Sequence, residues 1–483
     1  MAIKQDNRLL AVTTALGPDV LAVRSIAVQE QISRLFQIEA ELRSEDGKVD
    51  FDKVIGFNVT LRLKVGQKET RYFNGFVSRF VQVANEGDHA SYRATIVPWL
   101  WFLTRTSDCR IFQEKSTPDI IEAVFKGHGF SDFKLKLSGT YLPREYCVQY
   151  RETDFEFVSR LMEQEGINYY FEHENGKHLL VLADSTSAHN AFPGYAEIPF
   201  HPFQQGADER ETIHEWIMEK EVQAVASALQ DFDFKKPRTS LLTSTNVTRK
   251  HGMAQFEMYD YPGEYVEHDD GQRLADVRLE ELQTQYETLR GQASARGLAA
   301  GHLFALKSHP RAEQNRDYLV TSVSLNVDAG EFASGGTAGQ FYTCSFTGID
   351  KAQQFRPARL TPKPIVQGPQ TAIVVGPSGE EIHTDKFGRV KVMFPWDRYS
   401  KADENSSCWI RVSQEWAGKK WGAIYLPRIG QEVIVEFLEG DPDRPIITGR
   451  VYNGEAMPPY ELPSEKTKST LKSNTSKGGG GFN

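Results

Sequence analysis

The sequence runs to 483 residues, 40% of them hydrophobic and 11% aromatic: enough apolar material for about three domains with real cores, and too much for general disorder. A formal charge of −9 without any long Lys/Arg block argues against a nucleic-acid-binding protein. Met1–Asp6 lacks the apolar segment of a secretory signal, and no apolar run is long enough to span a bilayer. The chain is therefore expected to be made as a soluble protein in the cytoplasm and, if exported, to leave without a cleavable signal.

In chain order, strands come first. Apolar and polar residues alternate through Phe36–Leu42, Val59–Val65, Tyr72–Val83 and Ser91–Val97, with a turn expected at Gly66. Short alternating strands separated by turns suggest a closed or nearly closed β-barrel. A helix is expected to open at Thr117-Pro118-Asp119, with Thr117 as the capping hydroxyl, and to close at Gly127 or Gly129. A second should span Thr153–Glu165. There Thr153 and Glu156 fit a capping box, Phe157, Val158, Leu161 and Met162 form an apolar stripe, and Gly166 stops the helix. Ile167–Phe171 and Leu179–Leu182 flank Asn175-Gly176, a hairpin signal.

From Ile213 to Val327 strands return, interrupted by an expected helix from Arg273 to Arg290, and Asp317–Val323 faintly echoes Asn74–Phe80. Glu331–Gln340 reads as a loop, and Arg356–Gly368, with Pro357, Pro362 and Pro364, as a stiff linker. Between Thr371 and Leu462 the expected strands include Trp409–Val412, Gly422–Tyr425, Glu432–Phe437 and Ile446–Gly449, with Val390, Val392 and Phe394 on one face. Five or six strands in so short a span indicate a small OB-like barrel. Ser464–Lys477 and the glycines Gly478–Gly481 cannot form a core alone, so this tail is either disordered or a strand awaiting partners.

Several of these segments resemble the VgrG family: YRETDFEFVSRLMEQEGI at 150–167, HTDKFGRVKV at 383–392, WIRV at 409–412, YLPRIGQEV at 425–433 and GDPDRP at 440–445. The resemblance covers nearly the whole chain. It implies a mainly β fold with some α: two tail-hub-like β-barrel domains with helical α+β insertions, then a small OB-fold barrel and an extended C-terminal stub of a trimeric β-helix. The expected boundaries are 1–110 for the first barrel, 111–205 for the helical segment, 206–370 for the second barrel and linker, 371–463 for the OB fold and 464–483 for the stalk or tail. The resemblance also implies a homotrimeric spike of the bacterial type VI secretion machine. Such a spike docks on the hexameric Hcp tube, carries a PAAR-repeat tip protein and effectors on its needle, and punctures the target membrane, with export into the medium or a target cell. No valine-glycine repeat of a needle is present, so a truncated chain is expected. A contractile phage tail hub has the same architecture. A cell-wall hydrolase on a spike scaffold is the rival class, and there is little room for a catalytic domain after Leu462.

Candidate chemical sites are few. His173 and His178 flank the hairpin turn and could offer two zinc ligands, though spacing reveals no third, and an exposed hairpin tip is the plainer reading. Glu267-His268-Asp269-Asp270 is either a metal-binding run or, preferably, the acidic start of a helix. His214-Glu215 has Met218 where a zinc protease needs its second histidine. Trp416, Lys419, Lys420 and Trp421 interleave charge and aromatics as oligonucleotide- or sugar-binding OB surfaces do, but are expected to pack within a trimer. Cys109, Cys147, Cys344 and Cys408 form no Cys-x-x-Cys pair and are expected to be small buried hydrophobes in a reducing compartment. The expectation is of no catalytic residue, no cofactor, no metal and no nucleic-acid partner.

Overall fold

The computed structural model describes residues 4–5, 8–65, 69–83, 89–202, 211–330 and 341–477. The turn expected at Gly66, the Glu331–Gln340 loop and the glycine run from Gly478 lie outside them. The chain forms two compact units that interleave in sequence. The first comprises Met1–Arg105, Val124–Thr140 and Ser159–Leu360; the second, Thr106–Ala123, Tyr141–Val158 and Thr361–Asn483.

The chain opens with β1 (Leu10–Thr13), β2 (Ala22–Gln31), β3 (Gln37–Ser44), β4 (Asn58–Val65), β5 (Glu69–Gln82) and β6 (Ala90–Val97), hydrogen-bonded in the order β1-β4-β5-β6-β3-β2. The alternation read from sequence is the alternation of burial. Ile38, Ala40 and Leu42 of β3 are buried while Gln37 and Glu41 are exposed. At the ends of this run, the buried amide of Gln5 stands in for a peptide group between β1 and β2. It donates to Val12 O (3.3 Å) and Leu21 O (3.1 Å) and accepts from the amides of Val12 (2.9 Å) and Val23 (3.4 Å).

Next come β7 (Ser107–Phe112), α1 (Thr117–Gly127), β8 (Phe133–Lys136), β9 (Cys147–Thr153), α2 (Asp154–Glu165), β10 (Asn168–Glu174) and β11 (Lys177–Ala183). The cap of α1 is Ser116 rather than Thr117: the Ser116 hydroxyl accepts from the Asp119 amide at 3.4 Å, and the Asp119 carboxylate accepts from the Ser116 amide at 3.2 Å. Thr117 instead accepts from the Arg144 guanidinium at 3.0 Å. In α2 the capping box forms as read, with Thr153 N–H donating to Glu156 at 2.8 Å and Glu156 N–H to the Thr153 hydroxyl at 3.1 Å. Phe157, Val158, Leu161 and Met162 are all buried, and Gly166 ends the helix at φ +70°. Strands β10 and β11 pair as a hairpin with His173 opposite His178, and Gly176 takes φ +87° in the turn.

The remaining first-unit elements are β12 (Glu197–Pro199), β13 (Ile213–Lys220), β14 (Ala226–Leu229), β15 (Thr243–Asn246), β16 (Glu257–Asp260), α3 (His268–Thr284), β17 (Glu287–Ala293), β18 (Leu303–Lys307), β19 (Asp317–Asp328) and β20 (Phe341–Asp350). The opening sheet continues from β2 through β19, β20 and β17 to β13, with β18 attached to β19 and β12 to β18, giving twelve strands in all. Helix α3 differs from its expected span at both ends. It starts at His268, and its expected last turn is strand β17, because Leu289, Gly291 and Ala293 are buried at strand spacing.

In the second unit, β21 (Gln370–Val375), β22 (Lys391–Met393), β23 (Arg411–Val412), β24 (Glu432–Phe437) and β25 (Pro445–Val451) form one sheet in the order β22-β21-β24-β25-β23. Val390, Val392 and Phe394 are buried together with Val374, Ile410, Val433, Val435 and Ile447, and Tyr146 and Val148 complete that core from a distant part of the sequence. Two expected strands are reduced here. Trp409-Ile410 contributes only an isolated bridge at Ile410, and Gly422–Tyr425 only a bridge from Gly422 to Ala417. Gly422 at φ +129° and Lys420 at φ +63° close a tight turn instead of extending a ladder.

Candidate functional site

His173 and His178 do not form an exposed tip. His178 is 2% exposed and both ring nitrogens are used: Nε2 accepts from the Trp99 amide at 2.9 Å, and Nδ1 donates to Asn74 Oδ1 at 2.8 Å. Burial, with a contribution from neighbouring His173, pushes its pKa down to about 3, so the ring is neutral. His173 Nδ1 accepts from the Asn74 amide at 3.0 Å, and its Nε2 donates to Glu30 at 3.1 Å. The other Glu30 oxygen lies 3.1 Å from the buried guanidinium of Arg71, which also donates to Arg296 O and Leu298 O at 2.9 and 2.7 Å. Burial alone would raise the Glu30 carboxyl, but the His173 hydrogen bond and the Arg71 charge outweigh it and hold it below the usual range. The two imidazoles are members of a satisfied internal network that fastens the hairpin to β2 and β5. They were found by sequence, whereas Glu30, Arg71 and Asn74 were not, because those partners are separated by up to 143 positions.

The acidic run resolves into ion pairs. Asp270 and Glu165 both grip Arg273, at 2.8 and 2.7 Å, and Glu267 takes Lys236 at 3.0 Å. Asp269 and Asp270 occupy the first turn of α3, where carboxylates suit the helix dipole, while the Glu267 side chain makes no capping hydrogen bond. His214-Glu215 sits on strand β13, not on a helix. The described residues contain no group of three or more His, Cys, Asp or Glu side chains placed to hold a metal ion. All four cysteines are free thiols; Cys147, Cys344 and Cys408 are buried and Cys109 is half-buried, which departs from the uniform burial expected. Burial pushes the Cys344 thiol up to about 11.

The outward face of the twelve-stranded sheet carries two open depressions. One, of about 500 Å³, is lined among others by Gln29, Ser322, Ser324 and Thr347; the other, of about 600 Å³, by Glu41, Arg93 and Asn326. Their charges are already partnered in part, Arg93 with Glu41 at 3.6 Å and Arg290 with Glu219 at 2.8 Å. Between these polar groups the lining is also apolar, with Ile217 and Phe346 in the first depression and Val81 and Phe341 in the second.

In the second unit, the conspicuous feature missed by sequence is a clamp on the linker. Lys363 Nζ lies 2.8 Å from Asp441 and 2.8 Å from Asp443, both carboxylates nearly buried. Asp443 also accepts from the Val148 amide at 2.6 Å, and the Val366 amide donates to Gly440 O at 2.8 Å. The GDPDRP segment thus ties the linker and β9 to one turn. In the first unit the preceding residues are fastened as well: Arg356 pairs with Glu280 at 2.7 Å and donates to Gly166 O and Asp184 O. The Trp416–Trp421 turn, by contrast, is uncovered, the indoles standing edge to face at 5.0 Å and 64% and 59% exposed.

Comparison with known proteins finds two successive matches along the chain, the first of which also spans the second-unit segments 106–123 and 141–158. Residues 29–330 match the profile of the phage tail baseplate hub family, and residues 371–452 that of the type VI secretion system/phage-baseplate injector OB domain. The chain is 53% identical to the type VI secretion system spike protein VgrG1c of Pseudomonas aeruginosa over 99% of its own length and 66% of that protein's. It is 51% identical to VgrG1a of the same organism over 98% of its length and 74% of that protein's. Among solved structures, an E. coli component of the type VI secretion system described as similar to T4 bacteriophage tail proteins superposes with a TM-score of 0.65 at 21% identity, covering 92% of this chain and 99% of that one. The chain thus spans just under two thirds of the length of VgrG1c. With a hub-like sheet unit followed by an OB domain, and with half its residues shared with named spike proteins, the chain belongs to the VgrG family of type VI secretion system spike proteins.

Proposed function

We propose that this chain forms the body of a homotrimeric puncturing spike. Three copies dock on the hexameric Hcp tube, carry a PAAR-repeat tip and effectors on a needle that continues from the C-terminal end, and are driven through a target membrane. The observation that carries this reading is a twelve-stranded sheet matching the baseplate hub family, followed in the chain by an injector OB domain, in a sequence that shares half its residues with named spike proteins. In this reading the hub region comprises two related barrels, with Gln5 sealing the first, and each copy offers two similar docking surfaces to a sixfold tube. The segment divisions 1–110, 111–205, 206–370, 371–463 and 464–483 follow from it, with the last starting a triple-stranded β-helix. The chain works by stiffness rather than catalysis and is exported by the machine it caps.

Deleting the gene in its host should abolish Hcp release into the medium and killing of competitor cells, and the intact gene should restore both. Undiminished Hcp release without it would overturn the proposal. The match to a phage baseplate hub profile favours one second reading, a hub of a contractile phage-like particle; copurification with phage sheath and tube proteins rather than with Hcp would select it.

A further inference from the structure

We infer that the Trp416–Trp421 turn is an arm that seats on the outer face of β24 in a second copy of this chain; the inference rests on the trimeric reading above. The turn is built to project. The Gly418 amide donates to Trp421 O and the Ala423 amide to Trp416 O, both at 2.8 Å, which holds the two indoles edge to face and presents Lys419 and Lys420 at the tip. Both indoles are mostly exposed, and Ile424 beside them is 69% exposed. Among the described residues neither lysine lies within ion-pair distance of a carboxylate. Two adjacent cations between two indoles call for an apolar partner edged with acid. The second unit supplies one on β24, where Val433 and Val435 point into the core and Glu432, Ile434 and Glu436 point outward. Glu432 accepts from Asn453 at 3.0 Å, while Glu436 is exposed.

An arm on one face and its acceptor on another make a head-to-tail contact, which closes as a ring when the rotation suits a threefold axis. An anionic membrane surface fits less well. The tip carries just two cations, Glu415 is exposed beside Trp416, and the whole chain is acidic.

The test is native mass spectrometry and sedimentation of the full 483-residue chain and its variants, with near-ultraviolet circular dichroism as the folding control. The wild type is expected as a trimer. Trp416→Ser/Trp421→Ser should weaken association at least 100-fold with the fold retained. Glu436→Lys should weaken it about tenfold, and adding Lys419→Glu/Lys420→Glu should restore most of that loss. If the wild type is a trimer and the folded tryptophan variant remains one at equal affinity, the arm is overturned and the trimeric reading stands. A wild-type monomer overturns both, and if that monomer binds phosphatidylglycerol vesicles through the arm, the occupant is lipid.

Discussion

The buried histidines make the first unit acid-labile in a window that can be stated in advance. His178 and His189 have pKa values near 3 and 4 in the folded chain, lowered mainly by burial from an ordinary 6.5. Their contribution to stability is complete above pH 6.5, where both states are neutral, and is lost as the pH falls below it, because the unfolded chain takes up protons that the folded chain refuses. At pH 4.5 the unfolded imidazole is almost fully protonated, folded His178 scarcely and folded His189 only about a quarter, so each costs about 2–3 kcal/mol, or about 5 kcal/mol for the pair. Spread over a unit of this size, that corresponds to about 7 °C in melting temperature. The assay is differential scanning calorimetry at pH 7.5 and 4.5 on the wild type and on His178→Gln/His189→Gln. Glutamine can still accept from Trp99 N–H and donate to Asn74, and at position 189 it can donate to Gly301 O as the ring does at 2.8 Å, but it does not titrate. The variant should lose less than half the wild-type decrement. An equal decrement in both proteins would refute the reasoning, and carboxylates such as Glu30, held low, would be expected to act only at more acid pH.

Three further outcomes follow from the same physics. Arg71→Met should destabilise the first unit by about 3–5 kcal/mol in urea unfolding, since it strands the Glu30 carboxylate inside, and Arg71→Met/Glu30→Met should recover a large part. Lys363→Ala should cost the second unit about 2–3 kcal/mol, read as a lower denaturation midpoint, because Asp441 and Asp443 lose the cation they share, leaving Asp441 the more distant Arg444 at 3.7 Å. Gln5→Leu should cost about 2–4 kcal/mol and accelerate amide exchange at Val12 and Val23 ahead of the rest of β1 and β2.

Local order was legible where a local rule decides it. The alternation of β3, the box of Thr153 and Glu156 around α2, and the Asn175-Gly176 hairpin each depend on neighbours within a few residues. Helix α3 shows how such a rule misleads. The expected span runs to Arg290, but the helix ends at Thr284 and the chain goes over to the strand alternation of Leu289, Gly291 and Ala293, a change of period that falls inside the expected segment. The strand expected at Trp409–Val412 shortened to β23 with a bridge at Ile410, whereas the one expected at Gly422–Tyr425 failed because positive φ at Lys420 and Gly422 turns the chain. The histidine pair could be named but not interpreted, because Glu30, Arg71, Asn74 and Trp99 reach it only through the sheet. Lys363 gave no signal at all, since a lysine beside two prolines reads as linker until Asp441 and Asp443 are placed against it.

The seating of Tyr146 and Val148 among Val374, Phe394 and Val433 has a consequence for how the molecule is made. A ribosome releases these two residues more than two hundred positions before the strands that must enclose them. Until Val433 and Ile447 emerge, this piece of the OB core waits unfinished, which puts the second unit among slow, high-contact-order folders that need protection from aggregation. Excising the OB region at its apparent sequence boundary would likewise leave its core without Tyr146 and Val148, so a dissected version should retain residues 106–123 and 141–158 alongside it.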